Sequence, residues 1–228
     1  MKPFSVVLGL IGAGLISLRI DKAAAAEVIG TFGPLTIEGR HMPTPDLPGY
    51  STWTLTASSE GGILGIDFFG RRESQPGDPD ARGFFGPMNQ VNPSGSPTTI
   101  DSVDVCPVCH LPDNSWLAQD SHFLTGGRPI VVPFGFLSES TSHLRAIFAR
   151  QGPGSFGNRF DFVQLVVPNE APKPTEFRGI IVVGPDNNLR EITFSGSLPQ
   201  IPEPASAVLA SFALFAAGSV RRRRMRRQ

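Results

Sequence analysis

The sequence predicts an all-β fold, an antiparallel β-sandwich of which the jelly roll is one arrangement, and three observations predict it. Glycine and proline are frequent, 25 and 22 of 228 residues, and they punctuate the central chain every few positions. No stretch there carries a long apolar period of 3.6 residues, so an amphipathic helix has little to build on. Short runs rich in β-branched and aromatic residues recur instead without intervening helices, the pattern of packed antiparallel sheets.

Taken in order, strands are expected at 28–37, 51–57, 62–69, 130–137, 143–149, 160–167, 177–183 and 189–197. Trp53, Leu55 and Ala57 alternate with threonines and Ser58, as a half-buried strand requires. Leu165-Val166-Val167 and Ile180-Ile181-Val182-Val183 are apolar on both faces, as expected between two packed layers. Gly184-Pro185-Asp186-Asn187-Asn188 separates two such runs and suits a hairpin connection. The stretch from His143 to Arg150 admits a strand or a short helix. Residues 71–114 are loop-rich, and 151–159 form a glycine-rich connection.

Both ends of the chain are expected to be addresses rather than parts of the fold. Lys2 precedes an apolar run at 4–18, and Ala23-Ala24-Ala25-Ala26 supplies small residues for a signal peptidase. Residues 1–26 are therefore expected to be a signal peptide, cut after Ala26. At the other end, Pro202-Glu203-Pro204 is followed by an uncharged apolar segment at 205–220 and by six arginines, Arg221, Arg222, Arg223, Arg224, Arg226 and Arg227. Sixteen residues rise about 24 Å as a helix, slightly short of a hydrocarbon core of about 30 Å. A single transmembrane helix is expected there, and the basic flank places its C-terminal end in the cytoplasm and the bulk of the chain outside.

This tail resembles the PEP-CTERM sorting signal of bacterial surface proteins in all three of its elements and in their order. The resemblance covers residues 201–228. It implies recognition by an exosortase-like membrane protease, cleavage near Pro202-Glu203-Pro204, and delivery to the cell surface or an extracellular matrix rich in exopolysaccharide. The plainer alternative is a tail anchor with a stop-transfer flank. Between the two addresses, residues 27–200 are similar to β-rich domains found upstream of this signal, a likeness that implies no particular activity.

Removing the ends changes the electrostatics. The whole chain is neutral, but residues 27–200 hold 11 basic and 18 acidic side chains, a net charge of about −7. That argues against nucleic acid as a partner, since binding it relies on clustered Lys and Arg. The 174 residues suffice for one domain with a core.

The two cysteines lie in Cys106-Pro107-Val108-Cys109-His110. An oxidising exterior favours a Cys106–Cys109 disulfide, which closes a loop too short to stabilise the fold much. The same spacing is that of covalent haem c attachment, with His110 on the iron and Met42, Met88, His41, His122 or His143 opposite it. Polar, turn-forming flanks disfavour the haem, and zinc lacks an evident fourth ligand. Asp120-Ser121-His122 contains the residue types of a catalytic triad, but neighbours on a strand point to opposite faces. Asp67 could join another carboxylate in glycoside hydrolysis, and Asp78-Pro79-Asp80 or Pro185-Asp186-Asn187-Asn188 could offer oxygens to Ca²⁺; turn formation accounts for both runs. Seventeen phenylalanines against Trp53, Trp116 and Tyr50 favour core filling over sugar stacking. Trp116 and Tyr50 are the candidate carbohydrate contacts. No cofactor and no catalytic residue is assigned. The expected role is that of a non-catalytic surface or matrix protein, with a carbohydrate-binding module as the first alternative and a haem redox protein as the second.

Overall fold

The computed structural model describes residues 26–71, 78, 80–91, 115–133, 136–185 and 188–200, without the side chains of 115 and 116. Residues 1–25 of the expected signal peptide, the Cys106–His110 motif and the tail at 201–228 lie outside the described residues. Among those described, no helix is long and apolar enough to cross a membrane.

The described chain forms twelve strands: β1 (Glu27–Phe32), β2 (Leu35–Pro43), β3 (Tyr50–Ser58), β4 (Ile63–Asp67), β5 (Gly83–Phe85), β6 (His122–Phe123), β7 (Ile130–Val131), β8 (Leu137–Ser140), β9 (His143–Arg150), β10 (Arg159–Pro168), β11 (Glu176–Val183) and β12 (Arg190–Ser197). A 3-10 helix spans Ser115–Gln119. All-β architecture is thus as expected, with several boundaries redrawn. The single strand expected at 28–37 is two, because Gly33 takes φ 61° and turns the chain so that Phe32 pairs with Leu35. The run at 130–137 is broken into β7 and β8. The stretch from His143 to Arg150 is a strand, and β5 lies inside the segment expected to be loop.

All the strand pairings are antiparallel and fall into two sheets. The first runs β1-β2-β3-β10-β6. The second runs β12-β11, then β4 and β5, then β9, then β7 and β8. β4 and β5 lie end to end between β11 and β9: Ile66 and Asp67 pair with Phe148 and Ile147, whereas Phe84 and Phe85 pair with Leu144 and His143. One strand position is therefore shared by two short strands, and between them the chain leaves the sheet at Phe68 and returns at Arg82.

The sheets face each other across a core dominated by phenylalanine. Phe68, from the second sheet, stacks on Phe84 at 4.8 Å and on Phe162 of the first sheet at 5.6 Å, and meets Phe194 edge-on at 5.4 Å. Trp53 is buried in the first sheet with the His41 ring tilted beside it, centroids 4.7 Å apart. On that sheet's outer face, Arg40 reaches across β3 to Asp161 at 2.7 Å and Arg159 reaches back to Glu38 at 2.7 Å. Val166 is fully buried although alternation turns it away from the core, and its backbone groups are taken up beyond the end of β6: the Asn89 amide donates to the Val166 carbonyl at 2.7 Å, and the Val166 amide donates to the Ser121 hydroxyl at 2.9 Å.

Candidate functional site

The break between β4 and β5 organises the outer face of the second sheet. Alternation along β9 sends Leu144, Ala146 and Phe148 into the core and Arg145 outward, yet Arg145 is only 4% exposed. Its guanidinium fills the gap in the strand. Nε donates to the Arg82 carbonyl at 3.0 Å, and Nη2 donates to the Phe69 carbonyl and, at 3.4 Å, to that of Arg71. One cation thus donates to three carbonyls on the two sides of the break, where Gly70 and Ala81 form an isolated bridge. Its Cζ also lies 4.3 Å from the centroid of the Phe69 ring. Burial draws the Arg145 pKa below the ordinary arginine value, while the charge of Asp67 pulls it back up.

Asp67 closes the other side of the break. Its Oδ1 accepts the amides of Phe69 at 3.0 Å and Gly70 at 2.9 Å, and its Oδ2 accepts from Arg82. This carboxylate is therefore committed to a turn and an ion pair. Gly83 has φ 146°, and a Cβ there would come within 2.6 Å of the Arg145 side chain and 3.2 Å of the Phe85 ring. Its lack of a side chain lets both lie close along the strand.

Beside this latch runs a groove. Strand register aligns Ser197, Glu176 and Phe85 across β12, β11 and β5, and aligns Ser195, Arg178 and Gly83 one step further along. Asp78, Phe85, Glu176, Arg178, Ser195 and Ser197 line a cavity of about 500 Å³. Arg178 also lines a neighbouring cavity of about 400 Å³, with Arg71, Asp80, Arg82 and Thr193. The lining is mixed, and Arg71 and Asp80 approach each other at 3.9 Å.

On the far side of Phe85, His143 pairs with it in register and is held by two serines. The Ser138 hydroxyl lies 2.8 Å from Nε2 and the Ser140 hydroxyl 2.8 Å from Nδ1. Burial, and then the charge of Arg145, lower the His143 pKa from 6.5. Above about pH 6.5 both the folded and the unfolded chain hold a neutral imidazole; below it the unfolded chain takes up a proton that the fold resists. Stability is therefore expected to fall as pH drops from 6.5 through the lower folded value. Urea midpoints at about pH 7.5 and pH 5, in wild type and His143→Gln, check this: the wild type should lose more between them.

The other sequence candidates fall elsewhere. Tyr50 is half-buried at the start of β3, in the opposite sheet from the groove. Trp116 belongs to the 3-10 helix, and its side chain lies outside the described residues. Asp120, Ser121 and His122 are all buried. Asp120 Oδ2 is 3.7 Å from His122 Nδ1, while Asp120 Oδ1 accepts the Val91 amide at 2.7 Å and Ser121 binds the Val166 amide. Strand alternation separates Ser121 from His122, as the sequence implies. Asp78 Oδ1 accepts the Asp80 amide at 3.0 Å, so this acidic run does form a turn. Among the described residues, no group of three His, Cys, Asp or Glu side chains converges as a metal site would require. The groove itself was missed by sequence reasoning. The polar-apolar alternations Glu176-Phe177-Arg178 and Thr193-Phe194-Ser195 signal its two walls, but Phe85 sits in a stretch with no strand signature. Comparison of the chain with protein-family models and with curated proteins returns no match.

Proposed function

We propose that this chain is an exported, non-catalytic surface protein of a bacterial envelope, sorted through its C-terminal signal. The observation that carries the reading is the tail: Pro202-Glu203-Pro204, an uncharged segment at 205–220, and six arginines in seven residues. The leader at 1–26 supports it, since a chain with an export signal reaches the compartment in which such a tail acts. A signal peptidase removes the leader, residues 205–220 hold the precursor in the membrane, and an exosortase-like protease releases residues 27–200 to the cell surface or matrix. A domain with a charge of about −7 remains soluble there and is repelled by polyanions.

The intact mass of the protein recovered from its native cell surface tests this. A mature chain beginning at Glu27 and ending near Pro204 is expected. Reduction should add two hydrogens if Cys106 and Cys109 are joined. A product retaining the arginine cluster would make the protein a resident membrane anchor, and one heavier by a haem would reassign Cys106, Cys109 and His110.

A further inference from the structure

We infer that the groove on the outer face of the second sheet binds a neutral polysaccharide chain running along β12. The inference concerns residues 27–200 and does not depend on how the tail is processed.

Three features of the lining point to this ligand class. Thr193, Ser195 and Ser197 face outward at every second residue of one strand, so hydroxyls recur about every 7 Å. Glu176 and Arg178 stand beside Ser197 and Ser195 in the paired strand at the same interval. A groove with one polar motif repeated along its axis suits a polymer with a repeating pattern of donors and acceptors. Carboxylate and guanidinium groups each make two hydrogen bonds in a plane, the geometry that adjacent sugar hydroxyls present.

The second feature is charge. Asp78, Asp80 and Glu176 balance Arg71, Arg82 and Arg178, so among the described residues the lining has no net charge. The domain around it is acidic. A polyanion finds neither a local surplus of cations nor a favourable long-range field, and a neutral polyol finds partners of both kinds. The third is Phe85, whose ring lies in the groove wall next to Glu176. It offers an apolar face for the C–H side of a sugar ring amid otherwise polar groups, the mixture of a few placed polar groups and an aromatic surface that fixes a ligand's orientation.

The full-length chain in a non-glycosidic detergent should be titrated calorimetrically with cellotetraose, laminaritetraose, maltotetraose and mannotetraose, and with tetragalacturonate as the anionic comparison. At least one neutral tetrasaccharide is expected to bind with a Kd between about 10 μM and 1 mM. Phe85→Ala and Glu176→Gln should each weaken it about tenfold or more, while Arg40→Gln, on the opposite sheet, leaves it unchanged. Thermal melts accompany each variant, and Glu176→Gln, an exposed isosteric change, keeps the test valid if Phe85→Ala loosens the fold. The inference is overturned if none of the four binds at about 10 mM, if tetragalacturonate alone binds, or if neither groove variant alters the affinity.

Discussion

Phe68→Ala is expected to destabilise the domain by about 3–5 kcal/mol, the range for truncating a fully buried phenylalanine. Phe68 has no solvent exposure and packs its ring against Phe84, Phe123, Phe162 and Phe194, at centroid distances of 4.8 to 5.6 Å. Two of those partners, Phe123 and Phe162, belong to the opposite sheet, so the ring is a direct joint between the layers. Its backbone amide, donating to the Ala146 carbonyl at 2.8 Å, pins the position from which the chain leaves the sheet. Rigid neighbours on every side cannot collapse into the space, so the cavity term adds to the lost transfer energy. The midpoint of thermal unfolding should fall by on the order of 10 °C. Phe68→Leu, which refills most of the volume, should recover more than half of the loss. A fall of only a degree or two for the alanine variant would show that the sheets are not joined through this ring.

Arg145→Met is expected to cost about 2–4 kcal/mol by a different route. Methionine keeps the aliphatic bulk but removes the donors that hold the carbonyls of Phe69, Arg71 and Arg82. Those acceptors lose this donor, and Asp67 loses a nearby cation. The damage should be local. Hydrogen exchange is expected to rise at residues 69–71 and 80–83 while the amides of β3 and β10 remain protected. Lysine should not rescue the site, because one ammonium lacks the planar fork that meets carbonyls on two sides of the gap. Protection unchanged in the 69–83 stretch would mean that Arg145 does not hold it.

The two variants also mark where the fold was legible in the sequence. Strand alternation announces the layers: Trp53, Leu55 and Ala57 are buried as their spacing implies, and the paired strands on either side of Gly184 follow from the turn residues between them. Local pattern fails wherever a distant segment decides the outcome. Arg145 is charged, and nothing near it in sequence indicates that it is buried; only the strand break, created by residues 60 to 80 positions away, brings the carbonyls to it. Phe85 belongs to a strand of three residues, too short to carry a period of two, and it is a strand because β9 and β11 already flank it. Val166 reads as a layer-to-layer residue, whereas alternation turns it away from the core and it is buried all the same. The hairpin at Gly33 was visible as a glycine-proline pair but was absorbed into the longer apolar run around it. The candidate groove shows both behaviours, since its walls on β11 and β12 alternate legibly and Phe85 beside them does not.

The place of β12 has a mechanical meaning. It is the last strand of the described chain and an outer strand of its sheet, paired with β11 through eight residues from Glu176 opposite Ser197 to Val183 opposite Arg190. The Leu198 amide adds a bond to the Thr175 carbonyl at 2.9 Å, and the Leu198 side chain is buried. A pull transmitted through residue 200 along the strand axis meets this whole ladder in shear, so the bonds share the load instead of failing in sequence. A pull directed away from the sheet plane meets Leu198 first and then opens the ladder one pair at a time. The domain should therefore resist drag in line with its final strand far better than a sideways tug, which makes the direction of tension, and not only its size, decide when the fold gives way.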